Sequence, residues 1–238
     1  MHILSFTSRR QPATLVVMSR LITPLRPGVA LASRRCVALL FGLTLAAGVS
    51  ARPVAVKVVD QGGGKFGLTR GGQPYVMHGA GGSTHLELLK EIGGTTIRTW
   101  GIEQLDQQVD GKTLLQRCND LGLTIMAGIW IGHERHGFNY RDPAQVKQQR
   151  DAVRAAVRKY KDDPAILIWG LGNEMEGPES DGRNPTVWKE LQMLAEIIKA
   201  EDPNHPVCTV IAGAGASKVL SLKENYTALD ILGVNAYG

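Results

Sequence analysis

The chain has 238 residues, enough for one large α/β domain, and a formal net charge of +5. Six of its 27 basic residues are arginines within residues 1–51, which contain no Asp or Glu, so the rest of the chain carries 21 basic and 22 acidic residues. Downstream of residue 51, no Lys/Arg-rich run is interleaved with aromatic residues. This excludes the pattern of a nucleic-acid-binding face, and we expect no nucleic-acid partner.

Residues 1–51 have the pattern of a secretory signal peptide. Two arginines precede the apolar run CVALLFGLTLAAGV, and the small residues that end at Ala51 predict a cleavage site there. The run is short for a membrane span, so we expect a secreted, periplasmic or extracellular protein without membrane association after cleavage, with an uncleaved anchor as the alternative. Either Met1 or Met18 can be the start residue.

The next segment predicts a linker and then a hairpin. Residues 52–63 are interpreted as the linker and residues 64–238 as the main domain. Within GKFGLTRGGQPYVMHG, Phe66 and Leu68 alternate with small polar residues before a glycine turn, which predicts a short hairpin leading into a first core strand at YVMHG. Further strands are predicted at TTIRTWG, LTIMAGIWIG, AILIWGLGNE, PVCTVIAG and LDILGVNAYG, with helices between them.

This alternation predicts a parallel α/β fold. The strands are continuous apolar runs, typical of parallel strands covered on both faces, and they fit either an open doubly wound sheet or a (β/α)8 barrel. No G-x-G-x-x-G fingerprint follows the first strand, whereas polar and aromatic residues follow nearly every strand, as in a barrel with its site at one mouth. We therefore predict an incomplete (β/α)8 TIM barrel of about six βα units. The strand-end residues are His78, Arg98, Trp100, Trp130, His133, Asn173, Glu174, Asn235 and Tyr237.

Asn173 and Glu174 end the strand IWGLGNE with no Lys or Arg beside them. Burial disfavours the charged form of a carboxylate, and a carboxylic acid that keeps its proton can act as a general acid. Glycosidic bonds need such a donor because the leaving alkoxide is poor, and they need a second carboxylate that attacks the anomeric carbon or activates water. The amide of Asn173 can bind a sugar hydroxyl. The pattern favours a catalytic Glu174 over a structural ion pair or helix cap.

The segments AILIWGLGNE and LDILGVNAYG resemble the clan A retaining glycoside hydrolases, most nearly the family 2 type of catalytic barrel, with the β-1,3-glucan-processing families next nearest. The resemblance covers roughly residues 64–238 and implies that Glu174 is the acid/base and that Asn173 contacts the sugar 2-hydroxyl. It implies that Arg98 and Tyr237 lie against the nucleophile. The other substrate-binding candidates are His133 and, as sugar-stacking platforms or as packing at the barrel rim, Trp100 and Trp130.

One departure from that family concerns the nucleophile, a Glu at the end of strand seven, since Gly238 follows strand six. We therefore expect a barrel truncated at its carboxyl end and inactive as given. The predicted function is a secreted O-glycosyl hydrolase that cleaves β-linked oligo- or polysaccharides by a retaining mechanism. The alternatives are a catalytically inactive carbohydrate-binding barrel and a β-glucan transglycosidase.

The sequence predicts a carbohydrate partner and neither a cofactor nor a metal. A metal-dependent hydrolase is disfavoured because no strand end offers a cluster of His and Asp. The histidines of HERH, at His133 and His136, lack the H-E-x-x-H spacing of a zinc helix. Cys118 and Cys208 fall in an apolar helix stripe and a core strand, and we expect free buried thiols rather than a disulfide.

Overall fold

A computed structural model describes residues 2–4, 52–176 and 185–236. The strands in chain order are β1 (His2–Leu4), β2 (Val56–Gly62), β3 (Lys65–Arg70), β4 (Gln73–Tyr75), β5 (Gly79–Gly81), β6 (Thr96–Arg98), β7 (Gln108–Val109), β8 (Lys112–Thr113), β9 (Thr124–Ile129), β10 (Ile166–Asn173), β11 (Val207–Ala212) and β12 (Ile231–Asn235). The helices are α1 (Leu86–Glu91), α2 (Leu114–Leu121), α3 (Pro143–Tyr160), α4 (Pro185–Glu201) and α5 (Ala216–Asn225), with 3-10 turns at Ile102–Asp106 and Glu134–His136.

The main sheet is parallel, and its strands follow one another in chain order. The order is β5, β6, β9, β10, β11 and β12, and β1 pairs in parallel with the outer edge of β12. A doubly wound sheet reverses its strand order at a switch point, whereas a (β/α) barrel adds each new strand beside the previous one. The described sheet follows the barrel rule, as predicted from the sequence.

The helix α3 shows how a capping residue and an apolar stripe place a helix against the sheet. In α3, the side chain of Asp142 accepts hydrogen bonds from the amides of Ala144 and Gln145, and Pro143 occupies the first turn. Val157, on the buried stripe of α3, is fully buried in the layer between the sheet and the helices. This layer forms the larger of the two hydrophobic clusters among the described residues.

The second cluster fills the inside of the barrel and is closed from below by an antiparallel sheet of β2, β3 and β4. Val56 and Leu68 from this small sheet pack against Met126 and the other inward-facing side chains. The hydroxyl of Tyr75 lies 2.9 Å from Oγ1 of Thr124, at the amino end of β9. The small sheet therefore covers the amino ends of the barrel strands.

Two boundaries in this region correct the sequence prediction. The linker expected over residues 52–63 is a strand from Val56 to Gly62, because alternate residues such as Val56, which is 2% exposed, bury an apolar face beneath the barrel. The first parallel strand begins only at Gly79, the last residue of YVMHG, because Tyr75 at the start of that segment belongs to the antiparallel sheet.

Cys118 and Cys208 are free and buried, which confirms the sequence prediction. Burial raises the pKa of each thiol to about 12. Cys208 lies inside the barrel and Cys118 lies between the sheet and the helices. Neither thiol is available as a nucleophile at neutral pH.

Apart from His2–Leu4, the predicted signal peptide lies outside the described residues. Tyr237 also lies outside them. Along the part of the chain that the structure describes, none of the helices has the length and apolar character needed to cross a membrane.

Candidate active site

A cavity of about 490 Å³ opens at the carboxyl ends of the barrel strands. Arg98 at the end of β6, Asn173 and Glu174 at the end of β10 and Asn235 at the end of β12 all line it. The structure thus brings together four strand-end residues that are distant in sequence. Among the described lining residues, Glu174 is the only acid.

The guanidinium of Arg98 organises this cavity. It donates to Oδ1 of Asn173 over 2.6 Å and to Oδ1 of Asn235 over 3.3 Å. It also lies 5.3 Å from the ring centroid of Trp100, which is 39% exposed and lines the same cavity. Because a guanidinium is planar and always charged, these contacts fix both amide orientations at once.

The described residues hold Asn173 by its amide oxygen and leave its amide nitrogen unengaged. Its Oδ1 accepts from both Arg98 and Asn235, the latter over 3.2 Å. An amide oxygen with two donors is saturated, which leaves Nδ2 of Asn173 as the group that can donate to a ligand. This is the role expected of an amide that binds a sugar hydroxyl.

Glu174 has an unusual backbone conformation, with φ of 52° in the left-handed region. A non-glycine residue in this region costs about 1–2 kcal/mol, so surrounding contacts must hold it there. The amide of Glu174 donates to the carbonyl of Val210 over 2.7 Å, and its Oε1 accepts from Nδ2 of Asn235 over 2.6 Å. Strain of this kind at the end of a barrel strand is typical of a functional position.

Glu176, two residues further on, is directed away from the cavity. It is 4% exposed, and its Oε1 accepts from Nζ of Lys218 over 2.9 Å and from the amide of Ala212. Lys218 also donates to the carbonyl of Ala212. The pair joins the loop after β10 to the start of α5 and does not supply a second carboxylate to the cavity.

His133 and Trp130 lie beside the cavity and are not among its lining residues. His133 is 3% exposed, and its ring centroid is 5.4 Å from that of Trp130. Burial, and then the charge of Arg135, lower the pKa of His133, while an interaction with the backbone of Asn173 acts in the opposite direction. His133 therefore lies against the strand end that carries Glu174. Its lowered pKa favours the neutral form of the imidazole.

Asn235 is the site residue whose role the sequence did not reveal. Its position at the end of a predicted strand was visible, but nothing in LGVNAYG distinguishes it from the neighbouring Tyr237. Only the pairing of β12 with β11 brings it within hydrogen-bond distance of Asn173 and Glu174.

The comparisons with known proteins bear on the family and the fold. The family model described as "Glycosyl hydrolases family 2, TIM barrel domain" matches residues 109–231. The chain belongs to this glycosyl hydrolase family. The predicted resemblance is therefore confirmed, and so is the TIM-barrel fold of which the described sheet forms a part.

The relatives of this family 2 domain are longer proteins. The Aspergillus terreus protein named "Probable mannan endo-1,4-beta-mannosidase C" is 30% identical over 181 residues, which cover 67% of this chain and 43% of the relative. Mannan endo-1,4-beta-mannosidase F of Aspergillus fumigatus is 28% identical over 139 residues, 52% of this chain and 30% of the relative. The chain thus spans less than half the length of these relatives.

Solved structures support the fold of this domain. The Bacteroides uniformis beta-glucuronidase matches with a TM-score of 0.54 and 20% identity, over 72% of this chain and 22% of that protein. A family 2 member from Bacteroides cellulosilyticus matches with the same TM-score and 18% identity, over 71% of this chain and 23% of that protein.

Proposed function

We propose that this family 2 domain provides the acid/base side of a retaining β-glycosidase. The observation that carries the proposal is the position of Glu174, which is the only acid among the described lining residues of the cavity. One carboxyl oxygen is held by Asn235, and the described residues donate no hydrogen bond to the other. A carboxyl group in this arrangement can give a proton from Oε2 to the glycosidic oxygen of a bound sugar.

The neighbouring residues have matching roles in this mechanism. Asn173 donates from its available Nδ2 to a sugar hydroxyl near the reacting carbon. Arg98 orients both asparagines and contributes a positive charge beside the position where a nucleophilic carboxylate has to lie. Tyr237, Trp100, Trp130 and His133 are proposed substrate-binding residues on the basis of the family resemblance.

A retaining mechanism needs a second carboxylate about 5 Å from the first. The described residues that line the cavity supply no second acid, and Glu176 forms a buried ion pair with Lys218. The family resemblance implies that this group is a Glu at the end of a seventh strand. We propose that the described part of the chain binds and protonates the glycoside and that catalysis requires a carboxylate from elsewhere.

Added formate tests this mechanism, because it can stand in for a nucleophilic carboxylate that the described lining residues do not supply. A formate oxygen attacks the anomeric carbon, the bond to the aryl oxygen breaks, and Glu174 gives its proton to the departing phenolate; water then hydrolyses the glycosyl formate. Without formate, we expect no measurable cleavage of aryl β-glycosides by the 238-residue chain. With molar formate, cleavage should become measurable.

The variant Glu174→Gln identifies the proton donor. With formate, it should slow the cleavage of a phenyl glycoside by about 10²–10⁴-fold, because the leaving phenolate is then unprotonated. Cleavage of a dinitrophenyl glycoside, whose leaving group needs no proton, should change little. Glu91→Gln, at an exposed carboxylate of α1, is the control. Equal rates for the wild type and Glu174→Gln on the phenyl glycoside would contradict the assignment.

We propose a β-linked glycan as substrate and a secreted location. The similar proteins are named as mannan endo-β-mannosidases and a β-glucuronidase, and the leader pattern supports export. The second candidate is a carbohydrate-binding protein without hydrolysis, which is favoured by the single acid among the described lining residues. Sugar binding without turnover in formate would support it. A β-glucan transglycosidase would transfer the sugar to an added oligosaccharide.

A further inference from the structure

A second cavity of about 350 Å³ lies outside the barrel mouth, against the helix α3. Its walls come from Ile102 and Glu103 in the turn after β6, Trp130 at the end of β9, Phe138 in the following loop and Gln148 on α3. This volume lies within the range of about 300–1,000 Å³ that small-molecule sites occupy. Of its lining residues, the function proposed above uses only Trp130, on the basis of the family resemblance.

Two aromatic rings form one side of the second cavity. Trp130 is 52% exposed, although it directly follows a fully buried strand. Phe138 is fixed in place: its ring packs on Tyr140 at 4.7 Å between centroids, and a Cβ added at Gly132 would lie 2.1 Å from its Cδ2 atom. The two rings therefore provide an apolar surface whose position is set before a ligand binds.

The wall formed by α3 combines three glutamines with the apolar residues Ala152, Val153 and Ala156 and carries little charge. Gln145 and Gln149 accept hydrogen bonds from the amides of Asn139 and Gly132, so these two side chains hold the loop after β9 against α3. Gln148 lies exposed between them on the helix. The side chains of Gln148 and Glu103 can therefore contact a ligand. No Lys or Arg lies among the described residues that line the cavity, which disfavours a phosphate or other anion.

Aromatic faces opposite amide and carboxylate groups suit a neutral polyhydroxylated ring. A β-linked pyranose has apolar C–H faces that bury area on an indole, and its hydroxyl groups at the ring edge bond to amides and carboxylates. A lipid would leave these side groups without partners, whereas a saccharide pairs with both the aromatic rings and the amides. The chemistry of the second cavity therefore suits a saccharide.

The second cavity adjoins the candidate active site. Trp100 lines the first cavity, and Ile102, two residues later in the same turn, lines the second. This turn is held on the rim because Gly128 of β9 packs directly beneath Thr99 and Trp100, where a Cβ would lie 2.2 Å from the Thr99 carbonyl oxygen. The segment from residue 98 to residue 103 therefore lines the first cavity at its start and the second cavity at its end.

We propose that the second cavity is an outer subsite for further units of the same β-linked chain, with Trp130 as its stacking platform. The inference rests on the proposed function, since it assigns a polymeric or long oligomeric substrate to the same cleft. A chain bound in both cavities crosses the rim at Trp100. Affinity therefore depends on the number of sugar units.

Calorimetric titration of the 238-residue chain with β-1,4-linked manno- and gluco-oligosaccharides of two to six units tests the proposal. For the accepted series, we expect the affinity to rise with length beyond the disaccharide. Trp130→Ala should lower the affinity for the hexasaccharide by roughly 10-fold and leave the disaccharide unchanged, because one aromatic anchor is lost. Gln148→Ala, at an exposed helix position, should act in the same direction with a smaller effect. Leu220→Ala, at a residue of α5 that is 58% exposed, is the control.

The outcomes separate this inference from the proposed function. Suppose that disaccharide binding depends on Arg98. If the affinity is then independent of oligosaccharide length, or if both variants at the second cavity bind the hexasaccharide as the wild type does, the outer subsite is wrong and the proposed function stands. If Arg98→Ala leaves disaccharide binding unchanged, the first cavity is not the sugar site and the proposed function fails. Absence of binding for every oligosaccharide in both series overturns both.

Discussion

The amide nitrogen of Asn235 donates to Oε1 of Glu174 over 2.6 Å. The two residues end β12 and β10, which the strand β11 separates in the sheet. The contact makes one carboxyl oxygen an acceptor and, in the proposed mechanism, leaves Oε2 to carry the proton that is transferred. It also helps to hold Glu174 in its left-handed conformation.

The strain at Glu174 predicts an unequal effect of two small substitutions. Both Glu174→Ala and Glu174→Gly remove the carboxylate and its bond to Asn235, but only glycine adopts φ of 52° without cost. We expect Glu174→Gly to be more stable than Glu174→Ala by about 1 kcal/mol in urea unfolding. The same pair of substitutions at Glu91, at the end of α1, should give the opposite order. Equal stabilities at residue 174 would contradict the strain.

The buried pair of Glu176 and Lys218 should be important for stability. Lys218→Met leaves the carboxylate of Glu176 buried without its cation, at a cost of about 3–5 kcal/mol in unfolding free energy. Adding Glu176→Gln to that variant should recover part of the loss. Lys112→Met breaks an ion pair with Asp120 that is exposed on both sides, and should change stability by about 0–1 kcal/mol. If Lys218→Met lowers the unfolding free energy no more than Lys112→Met does, the buried pair contributes little to stability.

Asp202 should make the protein sensitive to acid. Burial alone would raise the pKa of Asp202, but the hydrogen bond with His205 and then that from Trp169 outweigh burial, and the net pKa is lowered. A lowered pKa contributes stability that is present above the unfolded value of about 4 and is lost as the pH falls through the folded value. The direction of the effect is therefore destabilisation at low pH.

The variant Asp202→Asn checks this direction. At pH 7 it should lower the unfolding free energy by about 2 kcal/mol, because the charge-assisted hydrogen bonds are weakened. The difference from the wild type should shrink below pH of about 4, where the unfolded carboxyl group is protonated. Urea unfolding curves of the wild type and the variant from pH 3 to pH 8 measure this difference in unfolding free energy. A difference that grows with acidity would contradict the lowered pKa.

The two buried thiols should be inert in the folded protein. With the pKa of Cys118 and Cys208 each raised to about 12, the thiolate fraction at pH 8 is on the order of 10⁻⁴. In a Cys36→Ser variant, we expect no reaction with a disulfide reagent in native buffer and two reactive thiols per chain in denaturing urea. Rapid native reaction at either position would show that the site is open to solvent.

The leader prediction is tested by the amino terminus of exported material. Cleavage after Ala51 predicts that the sequence begins at Arg52, because small residues precede that bond and an apolar run precedes them. Edman sequencing or intact mass measures this. A mature chain that retains VALLFGLTL would support the uncleaved anchor instead.

The strand-end positions were predictable because parallel strands buried on both faces leave polar residues only where the strands end. Arg98, Asn173 and Glu174 were identified in this way, and the structure brings them into one cavity. Val56 was assigned to the linker because a single Val-rich segment next to glycines is ambiguous. Its burial depends on packing against inward-facing barrel residues such as Met126, which lies more than 60 positions away along the chain.

The sequence by itself determined the family and the order of its strands and helices, and it singled out a carboxylate and an amide at the end of a buried strand. Apolar periodicity and strand-end chemistry are local properties of the chain, so they can be read without coordinates. The tertiary structure decided that Asn235 holds Glu174, that Glu176 faces Lys218, and that Trp130 lines a different cavity from Trp100. These features depend on strand register and on how each loop folds over the rim, and such distances are set only when segments distant in sequence pack together.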